Sequence, residues 1–349
     1  MDNKFLFIIL IILVIITITT LLLGNYLPEK PEDKIIKFSL PALVEAESQK
    51  PPAHVWGEYK LMNLLNPPKY TYKGANLINA KVYEDYFEEE YIIYTKQNTF
   101  IHGYLLTPLI TKKKYPVIFT PHNHGNNYDL GAEEVIGHKG DPSLSYGKEL
   151  AERGYIVLAT NSPLFGYRNI IGNNAGETRE EIYAQSLFNL GRTLTGVVIA
   201  EDIVALDFLE SLDFVDGSKI GCIGNSLGGN RCMYLSALDS KIKAVALLNS
   251  VTDINRTPTT GVVQTWFNVI PGLGKYFNTE DILNLIKGEI YIFHTENDPI
   301  NKVSQTKEII KRLNKEVIYK EAENKSHEFP KEYHEEVYEF FDKHLRKER

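Results

Sequence analysis

The sequence contains few cysteines and no excess of positive charge. Only two of its 349 residues are cysteines, Cys222 and Cys232, too few for the dense disulfide framework of small secreted domains. Both lie among apolar residues, so we interpret them as core side chains, compatible with an oxidising or a reducing compartment. Asp and Glu outnumber Lys and Arg, and the net charge is -7. No basic surface is available to neutralise phosphates, which argues against a nucleic-acid partner.

The sequence also has no internal repeat and no low-complexity tract, which excludes a solenoid and wholesale disorder. Hydrophobic residues make up 43% of the chain and charged residues 24%. This composition and length predict a globular domain of enzyme size.

One long hydrophobic run is present, at residues 5–23. It carries no charged residue and has the length that a helix needs to cross a bilayer. The alternative, a cleaved signal peptide, would have a shorter apolar region and a small-residue cleavage site, which is not well placed near residues 22–25. We therefore expect residues 1–26 to be a single-pass membrane anchor.

The orientation of this anchor is ambiguous from charge. Lys4 precedes the run, whereas Lys30, Lys34 and Lys37 follow it, and the positive-inside rule alone would leave the following domain in the cytoplasm. An apolar segment at the N-terminus that precedes a long domain commonly acts as a signal-anchor, so we expect an extracytoplasmic domain.

Residues 27–68 are rich in proline, which predicts a stalk or lead-in segment. The remaining residues, 69–349, begin with two strand patterns that suit an antiparallel pair and continue with alternating strands and helices, which predict a mostly parallel sheet flanked by helices. Residues 251–285 interrupt the alternation and are expected to form a cap above the sheet.

The most informative motif is residues 224–229, GNSLGG, which follow a short strand pattern and precede a helix pattern. A serine on a sharp strand-to-helix turn needs small residues two positions before and after it, because a Cβ there would collide with neighbouring backbone. The motif predicts a nucleophile elbow with Ser226 as nucleophile. The amide of Leu227, at the start of the helix, would then face a developing oxyanion.

Two further candidates follow later strands. Asp298 comes after the strand pattern that ends at His294, and His327 comes after the last strand pattern. Ligands and catalytic groups gather at the carboxyl ends of parallel strands, and the order Ser, Asp, His is the order of an α/β-hydrolase triad. We therefore expect Asp298 to orient His327, which would activate Ser226, with Glu296 as the reserve acid.

Residues 121–125, PHNHG, follow a strand pattern where a second oxyanion donor is needed. We expect a backbone amide near Asn123 or His124 to serve, with His124 as our choice. The alternative, a metal site at His122 and His124, lacks a clear third ligand, since Asn126 and Asn127 occupy the next positions.

With these residues assembled, the chain resembles the α/β-hydrolase superfamily, and within it the esterases related to dienelactone hydrolase and acetyl xylan esterase. The PHNHG loop resembles a histidine-glycine oxyanion loop, and residues 190–209 and 270–272 are similar to the acetyl-esterase-like branch. Dienelactone hydrolases proper use a cysteine nucleophile where this chain has Ser226, and a glycine is common at the position of Asn123. These departures argue against dienelactone as substrate.

The resemblance implies an α/β-hydrolase fold and a serine esterase that cleaves small acyl esters, above all acetyl esters, through an acyl-enzyme. The expected partners are a small-molecule ester and, through the anchor, a membrane; no cofactor or metal is expected. Two alternatives stay open: a serine peptidase of the same fold, and a non-catalytic, membrane-anchored binding module.

Overall fold

The computed structural model describes residues 57–109, 114–169, 176–255 and 265–346. The strands of this part of the chain, in sequence order, are β1 (Tyr72–Val82), β2 (Tyr86–Thr95), β3 (Phe100–Pro108), β4 (Tyr115–Phe119), β5 (Ile156–Thr160), β6 (Val215–Asn225), β7 (Ile242–Leu248), β8 (Glu289–Thr295) and β9 (Ile318–Ala322).

These strands form one sheet in the order β1-β2-β3-β5-β4-β6-β7-β8-β9. The pairs β1–β2, β2–β3 and β3–β5 are antiparallel, and every pair from β5 to β9 is parallel. The predicted antiparallel opening and mostly parallel remainder are therefore confirmed. Strand β1, which the sequence patterns did not reveal, extends the antiparallel edge.

The α-helices of the described residues precede β1, connect strands or follow β9. They are α1 (Gly57–Leu65), α2 (Ala132–Val135), α3 (Tyr146–Glu152), α4 (Gly176–Asn189), α5 (Leu194–Glu210), α6 (Leu227–Leu238), α7 (Leu273–Tyr276), α8 (Thr279–Leu285), α9 (Val303–Lys311) and α10 (His334–Phe341).

Side chains from the two faces of the sheet enter two separate hydrophobic clusters. On β4, Val117 and Phe119 join the cluster that contains residues of α5, α6 and α8, whereas Ile118 joins the cluster that contains residues of α3 and α10. Alternate residues of a strand point to opposite faces, so both faces are covered by helices. This arrangement is expected of a buried parallel sheet.

The folded domain begins earlier than the sequence indicated. Residues 57–65 belong to the predicted stalk, yet they form helix α1, and its Leu61 and Leu65 are fully buried against the main core. Burying two leucines is worth several kcal/mol, about 2 kcal/mol for each side chain, which is enough to hold a short helix against the domain. The lead-in therefore ends before Gly57 rather than at residue 68.

The predicted anchor, residues 1–26, lies outside the described residues. Among the helices of the described residues, none is both long and apolar enough to cross a bilayer.

The two cysteines are core side chains, as predicted, but they also form a disulfide, which we did not expect. Cys222 on β6 and Cys232 on α6 form a disulfide, with their Cα atoms 5.7 Å apart, and both are fully buried. Strand and helix fold back on each other across the elbow, so residues ten positions apart in sequence meet at a distance suitable for a disulfide. The cross-link therefore spans the segment that carries Ser226.

We expect the disulfide to contribute measurably to stability. Closing a loop of this length restricts the unfolded chain by about 3 kcal/mol, so reduction should lower the urea midpoint of the full-length protein. Urea unfolding with and without reductant measures the effect. The double variant Cys222→Ala/Cys232→Ala is the control, since its midpoint should not respond to reductant. Equal midpoints for the wild type in both conditions would show that the cross-link is not formed or does not stabilise the fold.

Candidate active site

Ser226 lies on the sharp turn between β6 and α6. Its φ of 53° and ψ of -117° place a non-glycine residue in a sparsely populated region, and its amide donates to the carbonyl of Leu248 on the neighbouring strand at 2.8 Å. Strained backbone of this kind persists only where the surroundings enforce it. The turn therefore has the geometry expected of a nucleophile elbow.

The glycines around Ser226 are required by close backbone contacts. A Cβ on Gly224 would overlap the backbone of Gly228, and a Cβ on Gly228 would overlap the carbonyl of Pro121. The predicted reason for the small residues is thus confirmed for both positions. The second contact also brings the start of the 121–125 loop against the helix that begins at the serine.

Asp298 and His327 form a hydrogen-bonded pair. Nδ1 of His327 and Oδ2 of Asp298 are 2.6 Å apart, and the carboxylate side chain is fully buried. The other carboxylate oxygen accepts from the amides of Ile300 and Asn301 at 2.8 and 2.9 Å. The loop after β8 therefore fixes the orientation of the carboxylate that contacts the imidazole.

The surroundings of Asp298 decide its charge. Burial by itself raises the pKa of a carboxyl, but the hydrogen bond and charge of His327, with the amides of Asn301 and Ile300, hold the pKa of Asp298 below its ordinary value. Asp298 is thus an anion at neutral pH. An anionic acceptor keeps the proton of His327 on Nδ1 and leaves the Nε2 lone pair available as a base.

The reserve acid, Glu296, does not contact the imidazole. Its side chain is exposed and accepts from the amide of Asn324 at 3.0 Å. Of the two acids in this loop, the structure pairs only Asp298 with His327.

Ser226 and His327 line the same cavity, which has a volume of about 330 Å³. Nε2 of His327 is buried and has no hydrogen-bond partner among the described residues. The described residues that line the cavity are Asn123, His124, Gly125, Asn126, Ser226, Leu227, Asn230, Thr252, Thr265, Asn268, Ile300, Asn301 and His327.

Both predicted oxyanion donors, Leu227 and His124, lie at this cavity. Leu227 is the first residue of α6, where an amide has no acceptor within the helix. Neither it nor the amides of Asn123 and His124 donate to a backbone carbonyl in the described part of the chain. The three residues line the cavity, so their amides are candidate donors to a ligand.

The first histidine of the PHNHG loop, His122, does not line the cavity. His122 is buried, donates from Nδ1 to the carbonyl of Asn123 at 2.6 Å and accepts from the amide of Ser162 at Nε2. Burial, followed by the charge of Arg231, lowers the pKa of His122 to about 3. His122 is thus a neutral side chain that shapes the loop. Within the described residues, no three side chains of the types that bind metals are grouped.

A buried ion pair connects helices α5 and α6. Arg231 of α6 donates to both carboxylate oxygens of Asp202 on α5, and also to the hydroxyls of Ser162 and Thr160 at the end of β5. Both charged side chains are almost fully buried, and a buried pair contributes only when its hydrogen bonds are satisfied. The network holds α6 against α5 and against the end of β5.

Sequence reasoning missed several cavity residues. Thr265 and Asn268 belong to the predicted cap, but Asn230, Ile300 and Asn301 were not singled out, and neither was Glu180 of α4, which contacts His124. No local pattern marks a glutamate on a helix as a partner of a loop 56 residues earlier. A search for carboxylates able to hold the loop histidines could have suggested it.

Comparison with known proteins identifies a family for this chain. The model of the Dienelactone hydrolase family matches residues 130–340. Among curated proteins, YtaP of Bacillus subtilis (strain 168) is 32% identical over 187 residues, which are 53% of this chain and 60% of that protein. YcjY of Escherichia coli (strain K12) is 29% identical over 118 residues, 33% of this chain and 32% of that protein. The chain thus aligns with less than two thirds of either relative.

Solved structures share the fold at low sequence identity. The acetyl xylan esterase from Paenibacillus sp. R4 is 18% identical with a TM-score of 0.61, covering 87% of this chain and 99% of that chain. Acetyl xylan esterase 1 from Thermoanaerobacterium sp. JW/SL YS485 is 13% identical with a TM-score of 0.58, covering 85% and 97%. These matches support an α/β-hydrolase fold, and the family model, which covers more than half of the chain, shows that the protein belongs to the Dienelactone hydrolase family.

Proposed function

We propose that the protein is a serine esterase that cleaves small acyl esters through a covalent acyl-enzyme. The observation that carries this proposal is the buried Asp298–His327 pair, 2.6 Å apart, at the cavity onto which Ser226 opens from a strained elbow. An oriented imidazole beside a serine on such a turn is the arrangement that nucleophilic acyl transfer requires.

In the acylation step, Nε2 of His327 accepts the proton of Ser226 as Oγ bonds to the ester carbonyl carbon. The carbonyl π electrons move to oxygen, and the resulting oxyanion accepts hydrogen bonds from the amides of Leu227 and His124. Asp298 stabilises the imidazolium. When the intermediate collapses, the bond to the alcohol oxygen breaks, and that oxygen takes the proton from Nε2.

Deacylation repeats these events with water. His327 takes a proton from water, whose oxygen attacks the acyl carbon, and the same amides bind the second oxyanion. Collapse returns the proton to Oγ of Ser226 and releases the carboxylic acid. The chain's own residues supply every group in both steps, so the reaction requires no cofactor.

The cavity supports a small, uncharged and polar substrate. Its volume is at the low end for ligand sites, and its described lining includes five asparagines and two threonines but no Lys, Arg, Asp or Glu side chain. Amides and hydroxyls bind neutral polar groups without the desolvation cost of a charge. We infer that the acyl group is small, most favourably acetyl, and that the alcohol part carries hydroxyl or similar groups.

The test is turnover of p-nitrophenyl esters of increasing acyl length by the purified full-length protein. We expect kcat/KM to be highest for acetate and to fall about tenfold or more by octanoate, because each methylene that does not fit costs binding energy in the transition state. Peptide substrates turned over faster than acetyl esters would support the peptidase alternative. No turnover of any ester or peptide by folded protein would support a binding module.

We also propose that the N-terminal segment anchors the protein and that the catalytic domain lies outside the cytoplasm. The buried disulfide supports a location outside the cytoplasm, since disulfides form and persist mainly in oxidising compartments. Protease shaving of intact cells should degrade the domain. A domain that survives until the cells are lysed would contradict the proposed orientation.

A further inference from the structure

Glu180 connects the PHNHG loop to another wall of the cavity. Its side chain is 2% exposed and accepts three hydrogen bonds. One oxygen accepts from Nε2 of His124 at 2.7 Å and from the hydroxyl of Tyr128 at 2.8 Å, and the other accepts from the amide of Trp266 at 2.5 Å. Both carboxylate oxygens are thus occupied by donors from segments that are distant in sequence.

The same contacts determine the tautomer of His124. Its Nδ1 accepts from the amide of Asn126 at 3.2 Å, so the ring proton is on Nε2, where it is donated to Glu180. The bond from Asn126 closes a tight turn in which Gly125 and Asn126 both have positive φ, 56° and 52°. One neutral imidazole therefore holds the turn from inside and is itself held by the carboxylate.

The imidazole is packed on its sides as well. The rings of Tyr128, Phe165 and Phe267 lie edge-on to it, with centroids 5.1 to 6.2 Å away. Hydrogen bonds in such apolar surroundings are stronger than in water, and an unpaired partner there is costly. The ring of His124 has only one orientation that satisfies both of its nitrogens.

We propose that Glu180 and His124 are positioning residues that hold the backbone amides of the PHNHG loop in place for the oxyanion. His124 then acts through its backbone amide, while its side chain, bound by Glu180, keeps that amide directed at the cavity. The amide of Trp266 donates to the same carboxylate. Glu180 therefore fixes the distance between the PHNHG loop and residues 265–268, which form another wall of the cavity. This inference rests on the proposed function.

The substitution Glu180→Gln tests the proposal while preserving the shape of the side chain. An amide has a single acceptor oxygen, which can serve either His124 and Tyr128 or Trp266, and its NH2 group would then face the N–H donor on the other side. In either orientation the connection between the loop and Trp266 is broken, and the loop amides should lose their alignment. A misplacement of about 1 Å can cost about 100-fold in rate, and we expect kcat to fall about 10- to 100-fold with KM changed less than about twofold.

Two readouts separate positioning from a general loss of structure. Values of kcat are expressed per active site titrated with a fluorophosphonate, so unfolded molecules do not contribute. Nitrogen-15 NMR of labelled histidine should report Nε2–H for His124 in the wild type, the tautomer that donates to Glu180. The matched control is Glu181→Gln, the exposed neighbour on α4, which should leave kcat and the tautomer unchanged.

A second variant covers the case in which Glu180→Gln does not fold. His124→Gln retains a terminal amide donor for Glu180 but has no acceptor atom at the position of Nδ1, where the amide of Asn126 donates, and it should show the same loss in kcat per titrated site. A kcat within twofold of the wild type in either folded variant, or an Nδ1–H tautomer of His124 in the wild type, would overturn the positioning role. If Ser226→Ala retained full activity, the proposed function itself would fail, which is a distinct result.

Discussion

Replacing Ser226 with alanine should lower kcat for acetyl esters by about 10⁴- to 10⁶-fold, to the level of catalysis by the remaining binding groups. The physical reason is the loss of the only atom that would bond to the acyl carbon, since Oγ lies on the elbow at the start of α6. Binding should change little, because the amides of Leu227 and His124 remain. Steady-state kinetics with p-nitrophenyl acetate measures both quantities.

The matched control for this substitution is Ser218→Ala, at the other end of β6. Ser218 is exposed and bonds only locally, to Asp216, so its removal should leave kcat within about twofold of the wild type. A metal-dependent hydrolase would behave differently: a chelator would abolish its activity, and Ser226→Ala would not. That pair of results would reject the serine mechanism.

Replacing Asp298 with asparagine should lower kcat by about 10⁴-fold. The carboxylate, which is an anion with a lowered pKa, accepts the Nδ1 proton of His327. An asparagine can instead donate to Nδ1, so the imidazole proton would move to Nε2 and the base would no longer be available to Ser226. A kinetic comparison at neutral pH, on protein shown to be folded, measures the effect.

Glu296→Gln is the control for Asp298→Asn, because the two acids belong to the same loop and only Asp298 contacts the imidazole. It should retain activity within about twofold of the wild type. If Glu296→Gln were the damaging change and Asp298→Asn were not, the acid would have been assigned to the wrong residue.

The ionisation of Asp298 also makes the stability of the fold depend on pH. A carboxyl whose folded pKa lies below its unfolded value of about 3.9 stabilises the fold above that value, and this contribution is lost as pH falls through the folded pKa. Asp298 thus stays ionised at neutral pH, and its contribution to stability is lost only at acidic pH.

Much of the fold was predictable because its signals are local. The strands that precede Ser226 and Asp298 contain short apolar runs, and the glycines around Ser226 indicate a turn that only small residues allow. Since parallel strands bring their carboxyl ends to one edge, the positions of Ser226, Asp298 and His327 after successive strands predicted that all three would lie at that edge.

The features that the sequence did not reveal depend on how segments pack against one another rather than on a local pattern. The Cys222–Cys232 disulfide follows from how β6 and α6 close across the elbow, and two isolated apolar cysteines do not indicate it. Helix α1 was obscured by the prolines around it. Glu180 is one of several acids in a charged segment, and only the fold brings it to His124 and Trp266.

Covalent labelling of the full-length protein with a fluorophosphonate, followed by mass spectrometry of its peptides, reports whether Ser226 is an activated nucleophile. We expect one adduct, on the peptide that contains Ser226, that is absent in Ser226→Ala and formed much more slowly in Asp298→Asn. An adduct on another residue, or no adduct on folded wild-type protein, would show that Ser226 is not the nucleophile.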